Sequence, residues 1–321
     1  MMPDSVTVPV TIDWEEAGMI PQNVTMFIYD NEGRLWKEHV FENQGKTVKT
    51  TLSLPTGQYS VVVINELRDQ IDYLHIRGHE HLSTLEAYIT KAATLYDTKG
   101  RTDGDLIVNQ PGELATLVTT IHISPEMLME FNSGAITTTS LQEEYHQLNN
   151  LRPLLRTVKA EVRLEVKGLH NALMPALAEL RNLAGGYLIG QDQNSMTPVT
   201  TQFTLNNRQY ALGSATDGEI STKITCLGFL GNRTAIADSD PPGIYFNVWF
   251  QLVDEAHTRV SFEWNITDQI VINTHEKMLS LLLELSAPEP LPDVQPEGSD
   301  KSGFNSELVE WETEDVQIEL Q

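Results

Sequence analysis

The chain is poor in the residues that staple, span or catalyse. One cysteine, Cys226, stands among 321 residues, so an internal disulfide is excluded. Within Thr225-Cys226-Leu227-Gly228-Phe229 it reads as a small buried apolar residue, because the base and electropositive setting of a catalytic thiol are missing around it. No apolar run approaches the ~20 residues a membrane-spanning helix needs. Met1-Met2-Pro3-Asp4 has neither the basic n-region nor the apolar h-region of a leader; the sequence reads as cytosolic or as starting after a removed leader. Bases are scarce too: 21 against 45 acids give a formal charge of -24. That balance works against phosphate backbones and anionic headgroups, so neither nucleic acid nor electrostatic membrane binding is expected. The patterns G-x-S-x-G, H-E-x-x-H, G-x-x-x-x-G-K-[ST] and G-x-G-x-x-G are all absent, which weakens an enzymatic reading. No catalytic residue, cofactor or metal is assigned.

What is present is strand. Val6, Val8, Val10, Ile12 and Trp14 alternate with polar residues and Pro9, a period of two that gives a strand with one buried face. Pro9 cannot donate to a ladder, so this strand belongs at a sheet edge or places Pro9 where its missing N–H faces away; an edge strand is where another chain can pair. Val24 to Tyr29, the turn residues Asp30-Asn31-Glu32-Gly33 and Leu35 to Phe41 read as a hairpin, and Lys46 to Leu54 as a further strand. Pro55 and Gly57 then punctuate a turn before Tyr59 to Asn65, and this pair of runs reads as a hairpin whose second strand is buried on both faces. Pro241-Pro242-Gly243-Ile244-Tyr245 repeats the Pro, Gly and Tyr offsets of Pro55, Gly57 and Tyr59, which suggests two similar domains. With the length prior, the division falls at Pro153: residues 1–153 and 154–321.

Short helices interrupt the strands. Ser83 with Glu86 reads as a capping box opening a helix through Leu85, Tyr88, Ile89 and Ala92; Ser124-Pro125 opens another, and Ser140-Leu141-Gln142-Glu143 a third. Ala172 to Leu183 is helical by spacing, with Pro175 in its first turn or kinking it. In the second domain strands are expected at Arg156 to Val166, with Val158, Ala160, Val162, Leu164 and Val166 inward, and at Thr201 to Leu205, Ile220 to Phe229, Ile244 to Leu252, Thr258 to Trp264 and Met278 to Leu285. Residues 286–303, with Pro288, Pro290, Pro292 and Pro296, read as an extended and poorly packed tether. Val316, Ile318 and Leu320 alternate again and form a last short strand, which either closes the second sheet of its own chain or is donated to a neighbour.

Candidates for chemistry are few. His75, His79 and His81 lie around Glu80 but read first as a solvated loop, since zinc needs three or four convergent ligands. Asp97, Asp103 and Asp105 miss the spacing of a calcium loop. Trp249 reads as core; Trp311 and Tyr187 are candidate stacking residues for a sugar.

The strand ending in Asp13-Trp14, Met26-Phe27-Ile28-Tyr29-Asp30 before Gly33, and Leu54-Pro55-x-Gly57-x-Tyr59 leading to Asn65 resemble the first domain of fimbrillin-like proteins of Bacteroides-type bacteria. Val166-Lys167-Gly168-Leu169-His170-Asn171, Leu183-Ala184-Gly185-Gly186 and Thr225-Cys226-Leu227-Gly228 are similar to segments of the second half in one branch of that family. The resemblance implies a mainly β protein with a few short helices, two transthyretin-like antiparallel β-sandwich domains in tandem. It implies a lipoprotein of the outer membrane and cell surface, with other fimbrial subunits and host or bacterial surface ligands as partners and the membrane reached only through a lipid anchor. Such subunits assemble into a type V pilus by strand exchange, for which Val6, Val8, Val10, Ile12, Trp14, Val316, Ile318 and Leu320 are the candidates. The lipidated cysteine is missing, and Met1-Met2 reads as a start after the leader or a vector remnant. The alternative is a surface glycan-binding lipoprotein.

Overall fold

The computed structural model describes residues 4–42, 45–68, 71–92, 106–144, 148, 150–232, 243–275 and 278–296. Chain order begins with β1 (Val6–Asp13), β2 (Asn23–Tyr29), β3 (Leu35–Glu42), β4 (Thr47–Leu54) and β5 (Gly57–Asn65). Then come β6 (Leu74–Arg77), β7 (Glu86–Ile89), β8 (Ile107–Val108), β9 (Ala115–Ile123), helices α1 (Pro125–Ser133) and α2 (Thr138–Glu144), and β10 (Leu154–Leu155). The second half runs β11 (Val158–Val166), β12 (Ala176–Ala184), β13 (Gly186–Leu188), β14 (Gln193–Asn194), β15 (Pro198–Leu205) and β16 (Asn207–Tyr210). It closes with β17 (Gly218–Cys226), β18 (Tyr245–Gln251), β19 (Arg259–Asn265), β20 (Ile270–His275) and β21 (Met278–Ser286). The expected mainly β chain with a few short helices is what forms.

The strands pair in the same way in the two halves. In the first, β1 pairs with β4, β2 with β3 and β5, and β5 with β9. In the second, β11 pairs with β17, β12 with β15 and β18, and β18 with β19. All of these ladders are antiparallel. Thus β5 and β18, which carry the Pro-x-Gly-x-Tyr echo or its remainder, hold matching places. The turn between β4 and β5 is not a hairpin, however. These strands do not pair with each other; the chain crosses there from the β1–β4 sheet to the β10-β9-β5-β2-β3 sheet.

That second sheet is buried on both sides, which explains the unbroken apolar run of β5. Val61 and Val63, with Val24, Met26 and Ile28 of β2, enter the core beneath β1 and β4. Val62 and Ile64, with Phe27 and Tyr29, enter the other core, which continues into the second half. Two further features join the halves. A sheet ordered β14-β13-β7-β6 draws strands from each, and β8 pairs in parallel with β15. Between β10 and β11, Arg156 donates from Nε to Thr116 Oγ1 at 3.2 Å, and its Nη1 meets Asp192 Oδ1 at 3.1 Å.

Several local expectations give way to tertiary context, which overrides intrinsic propensity where partners compete. The segment after Ser83 is strand β7, because Leu85, Ala87 and Ile89 also alternate and are buried between β6 and β13. Ser83 caps nothing. Instead His81 Nδ1 accepts the Ser83 N–H at 3.2 Å at the start of a single 3-10 turn, Leu82–Thr84. Ala172 to Leu183 is likewise not a helix. Its Ala176, Ala178 and Leu180 face the core at period two, and β15 and β18 flank the strand on both edges. The helix at Ser124-Pro125 forms as expected, Ser124 Oγ accepting the Met127 N–H at 3.1 Å. The next helix starts earlier than its capping box, at Thr138, with Thr137 Oγ1 accepting the Ser140 N–H at 3.2 Å.

The tether is better packed than its prolines suggest. Ala287 N–H donates to Glu165 O at 2.8 Å and Leu291 N–H to Lys167 O at 2.9 Å. The Leu291 side chain is buried in the larger core. Gly168 allows this: it has φ +73°, and a Cβ on it would lie 2.9 Å from Leu291 O.

Candidate functional site

The first strand is placed as its alternation requires. Val6, Val8, Val10, Ile12 and Trp14 are all at most 1% exposed and share one core with Val24, Met26, Ile28, Leu52, Leu54, Val61 and Val63. Among the described residues β1 is laddered along its length to β4 alone, from Val6↔Leu54 to Asp13↔Thr47. On the other side a single parallel bridge joins Ile12 to Leu151. Asp13 N–H donates to Leu151 O at 2.7 Å and Leu151 N–H to Thr11 O at 2.9 Å.

Those two bonds fix which way the strand's backbone points. Successive residues of a strand direct their N–H and C=O to opposite edges, so Thr7, Pro9, Thr11 and Asp13 face away from β4. Pro9 therefore sits where its missing N–H costs the β4 ladder nothing, the placement its sequence required. It also leaves a gap in the free edge, a device that discourages another strand from adding there.

The equivalent strand of the second half differs. Beside β11, β21 runs in parallel from Lys159↔Ser280 to Glu165↔Ser286. Among the described residues the place next to β1 that corresponds to β21 holds the Leu151 bridge, and Met127, Leu141, Leu148 and Leu151 close the core beside it. Trp14 ends the strand with a buried indole whose N–H has no hydrogen-bond partner among the described residues. Val316, Ile318 and Leu320 lie outside the described residues, as do Trp311, Asp97, Asp103 and Asp105.

The remaining candidates separate. His75 packs near the Tyr88 ring at 6.0 Å, His79 Nε2 lies 2.8 Å from Arg68 Nη1, and His81 caps the 3-10 turn. No group of three or more His, Cys, Asp or Glu that could hold a metal occurs among the described residues. Cys226 is fully buried, and burial pushes its thiol up to about 11. Tyr187 is 1% exposed, with its hydroxyl donating to Asp192 Oδ1 at 2.5 Å, so it is no stacking platform. Trp249 corrects the other way: Phe246, Val248 and Phe250 face the core, and Trp249 stands half-buried on the opposite face. Sequence reasoning missed Trp36, an indole 40% exposed on edge strand β3. The β2–β3 register shifts there, from Ile28↔Lys37 to Tyr29↔Leu35, and leaves Trp36 as the extra residue.

No helix among the described residues is long and apolar enough to cross a membrane. No curated protein matches the chain. Among solved structures it resembles a candidate adhesin from Bacteroides ovatus, at 16% identity and TM-score 0.56 over 90% of this chain and 94% of that one. It also resembles the fimbrial anchor protein Mfa2 from Porphyromonas gingivalis, at 12% identity and TM-score 0.46 over 88% and 91% of the two chains. The profile of a domain of unknown function, DUF5119, matches residues 1–204, and the chain belongs to that family.

Proposed function

We propose that the chain is a structural and adhesive subunit of a cell-surface fimbria, joined to its neighbours by β-strand exchange and without a catalytic role. In this reading its halves are two transthyretin-like sandwiches in tandem, exported and anchored at the outer membrane by a lipid. The observation that carries the reading is β1: a strand with one face wholly in the core, laddered on one edge, and blocked by Pro9 on the other. An intact β1 resists addition of a further strand at Pro9. Its removal uncovers a groove lined by Met26, Ile28, Leu52, Leu54, Val61 and Val63, with the inner edge of β4 unpaired. An incoming strand with apolar residues at alternate positions refills both the pockets and the ladder. The alternating Val316, Ile318 and Leu320 supply such a sequence.

The energetics require a replacement and not a simple departure. Burial of five apolar side chains amounts to roughly 10 kcal/mol at ~1.5–3 kcal/mol each, an upper figure because unfolded chains are already partly collapsed. Loss of that much is comparable to the whole stability of a domain, ~5–15 kcal/mol. No lysine or arginine precedes Arg34, so trypsin cannot cut between β1 and β2. A specific protease site inserted between Ala17 and Gln22 allows the cut. After cleavage, sedimentation is expected to show concentration-dependent polymers, and a cleaved chain lacking residues 315–321 is expected to stay monomeric. Polymers that form equally without residues 315–321 would remove that segment as the donor.

A further inference from the structure

Charge is matched along the outer face of the β16-β17-β11-β21-β20 sheet until its last row. On β11, Glu161 stands opposite Lys223 of β17 and Arg163 opposite Glu284 of β21. The Arg163 guanidinium is taken up there, 2.6 Å from Glu161 and 3.5 Å from Glu284. One row on, the register sets Glu165 directly opposite Glu219, with Gln209 of β16 beside Glu219 and Ser286 of β21 beside Glu165. Like charges facing each other across a ladder are destabilising. Glu165 Oε2 accepts the Ser286 hydroxyl at 3.2 Å, and neither carboxylate is ion-paired among the described residues. The opposite side of this row is core, where Leu164 and Ile220 are buried.

Over the row opens a recess of about 720 Å³, well within the ~300–1,000 Å³ typical of ligand sites. One wall is an arch of the tether. Ala287 N–H donates to Glu165 O and Leu291 N–H to Lys167 O, so four steps of the tether accompany two of β11, and Pro288-Glu289-Pro290 arches outward, exposed. The other wall is the β16–β17 turn, with Ala211 and a fully exposed Leu212. That turn is fixed: Ala211 N–H donates to Asp217 O at 3.0 Å, and Asp217 Oδ1 accepts the Gly168 N–H at 2.8 Å. Glu165, Asp217, Glu219 and Glu289 line the recess against one base, Lys167. The Gly168 N–H, with the Lys167 charge behind it, holds the Asp217 carboxyl below its ordinary range. Arg208 and Tyr210 stand in register with Ile220 and Gly218 on the opposite face, where Arg208 Nη2 donates to Ala172 O at 2.9 Å.

We infer that this recess docks an arginine-bearing segment of a partner protein. Glu165, Glu219 and Glu289 offer acceptors that no base of this chain pairs among the described residues. A guanidinium carries five N–H donors in a fixed fork, which suits carboxylates set side by side. Its carbon stem is apolar and is covered at little cost by apolar neighbours; Ala211, Leu212, Pro288 and Pro290 supply them. A formal charge of -24 repels a second copy of the chain and draws a basic partner in. Because both walls are fixed before binding, little ordering cost is added. The inference deepens the adhesive part of the proposed function; it stands apart from strand exchange and is tested on uncleaved protein, so its failure leaves the β1 groove untouched.

The probes are labelled heptapeptides with leucine on either side of a central arginine, lysine, citrulline or glutamate, titrated against the full chain at low salt by fluorescence anisotropy. The arginine peptide is expected to bind and the lysine peptide to bind a few-fold more weakly. Citrulline keeps the shape and loses the charge, and is expected to bind about tenfold more weakly. Glu219→Gln and Glu289→Gln should each weaken the arginine peptide several-fold and Leu212→Ser a few-fold. Glu263→Gln, which removes the same charge from β19 in the other sheet, should leave it unchanged. Glu219→Gln should melt no lower than the native chain, because it relieves the facing carboxylates. No binding of the arginine peptide, equal binding of the citrulline peptide, or an equal loss in Glu263→Gln and Glu219→Gln would each overturn the site, the last by showing that net charge alone attracts the peptide. So would self-association that Glu219→Gln abolishes while no peptide binds, since the occupant would then be a second copy. If Glu219→Gln fails to fold, Glu289→Gln on the exposed arch decides.

Discussion

At the scale of single residues, Trp14 concentrates a conflict. Its ring is fully buried, yet its indole N–H has no partner among the described residues, and such an orphan costs about 1–3 kcal/mol. Trp14→Ala is expected to lose ~3–5 kcal/mol by urea unfolding, whereas Trp14→Phe, which removes the orphan while keeping most of the ring, should lose far less. Equal losses would mean that the indole N–H is satisfied in solution. Cys226 offers a second check. Burial raises its thiol from the ordinary 9.0 to about 11. Between these values the unfolded chain loses the proton and the folded chain keeps it, so this contribution is complete below pH 9 and is lost as pH rises toward 11. Stability measured from pH 8 to 10.5 should fall more steeply for the native chain than for Cys226→Ala, and equal slopes would contradict the buried neutral thiol. Cys226 was legible from its neighbours alone. Trp249 was not, because a run as apolar as Tyr245 to Leu252 hides which of its two faces is inward.

Elements were legible where one periodicity stood alone. In β1 four apolar residues, continued by Trp14 just beyond it, alternate without competition, and the strand, its buried face and the orientation of Pro9 all follow. The segments β7 and β12 defeated the same reasoning, because Leu85, Ala87, Ile89 and Ala176, Ala178, Leu180 satisfy helix and strand spacing together. Only flanking strands distant in sequence decide between them. The tether shows a third case: its composition announces an extended chain, but the burial of Leu291 depends on the cleft that Gly168 opens. Leu291→Ala is expected to cost ~2–4 kcal/mol and to make residues after Ser286 cleavable by low protease before the core unfolds. Protection unchanged in that variant would show that the two backbone bonds of Ala287 and Leu291 suffice to hold the segment.

At the scale of the molecule, the two halves share a pairing scheme but not its completion. Beside β11 the scheme is closed by β21; beside β1, among the described residues, stand one bridge and the helices that carry Met127 and Leu141. The sequence showed the repeat through β5 and β18, but this asymmetry is a property of the assembled sheets, invisible to local spacing. It is also what makes β1 the element on which assembly is proposed to turn. The direct measurement is the uptake of a labelled peptide of residues 4–14 by subunits cleaved between β1 and β2 and freed of their own strand. The expected result is stable uptake of the native peptide and at least about a hundredfold weaker uptake of a peptide carrying Val8→Asp and Val10→Asp, since each buried charge must be desolvated without a partner. Uptake that is equal for both peptides, or absent while polymers still form, would contradict an acceptor groove at β1.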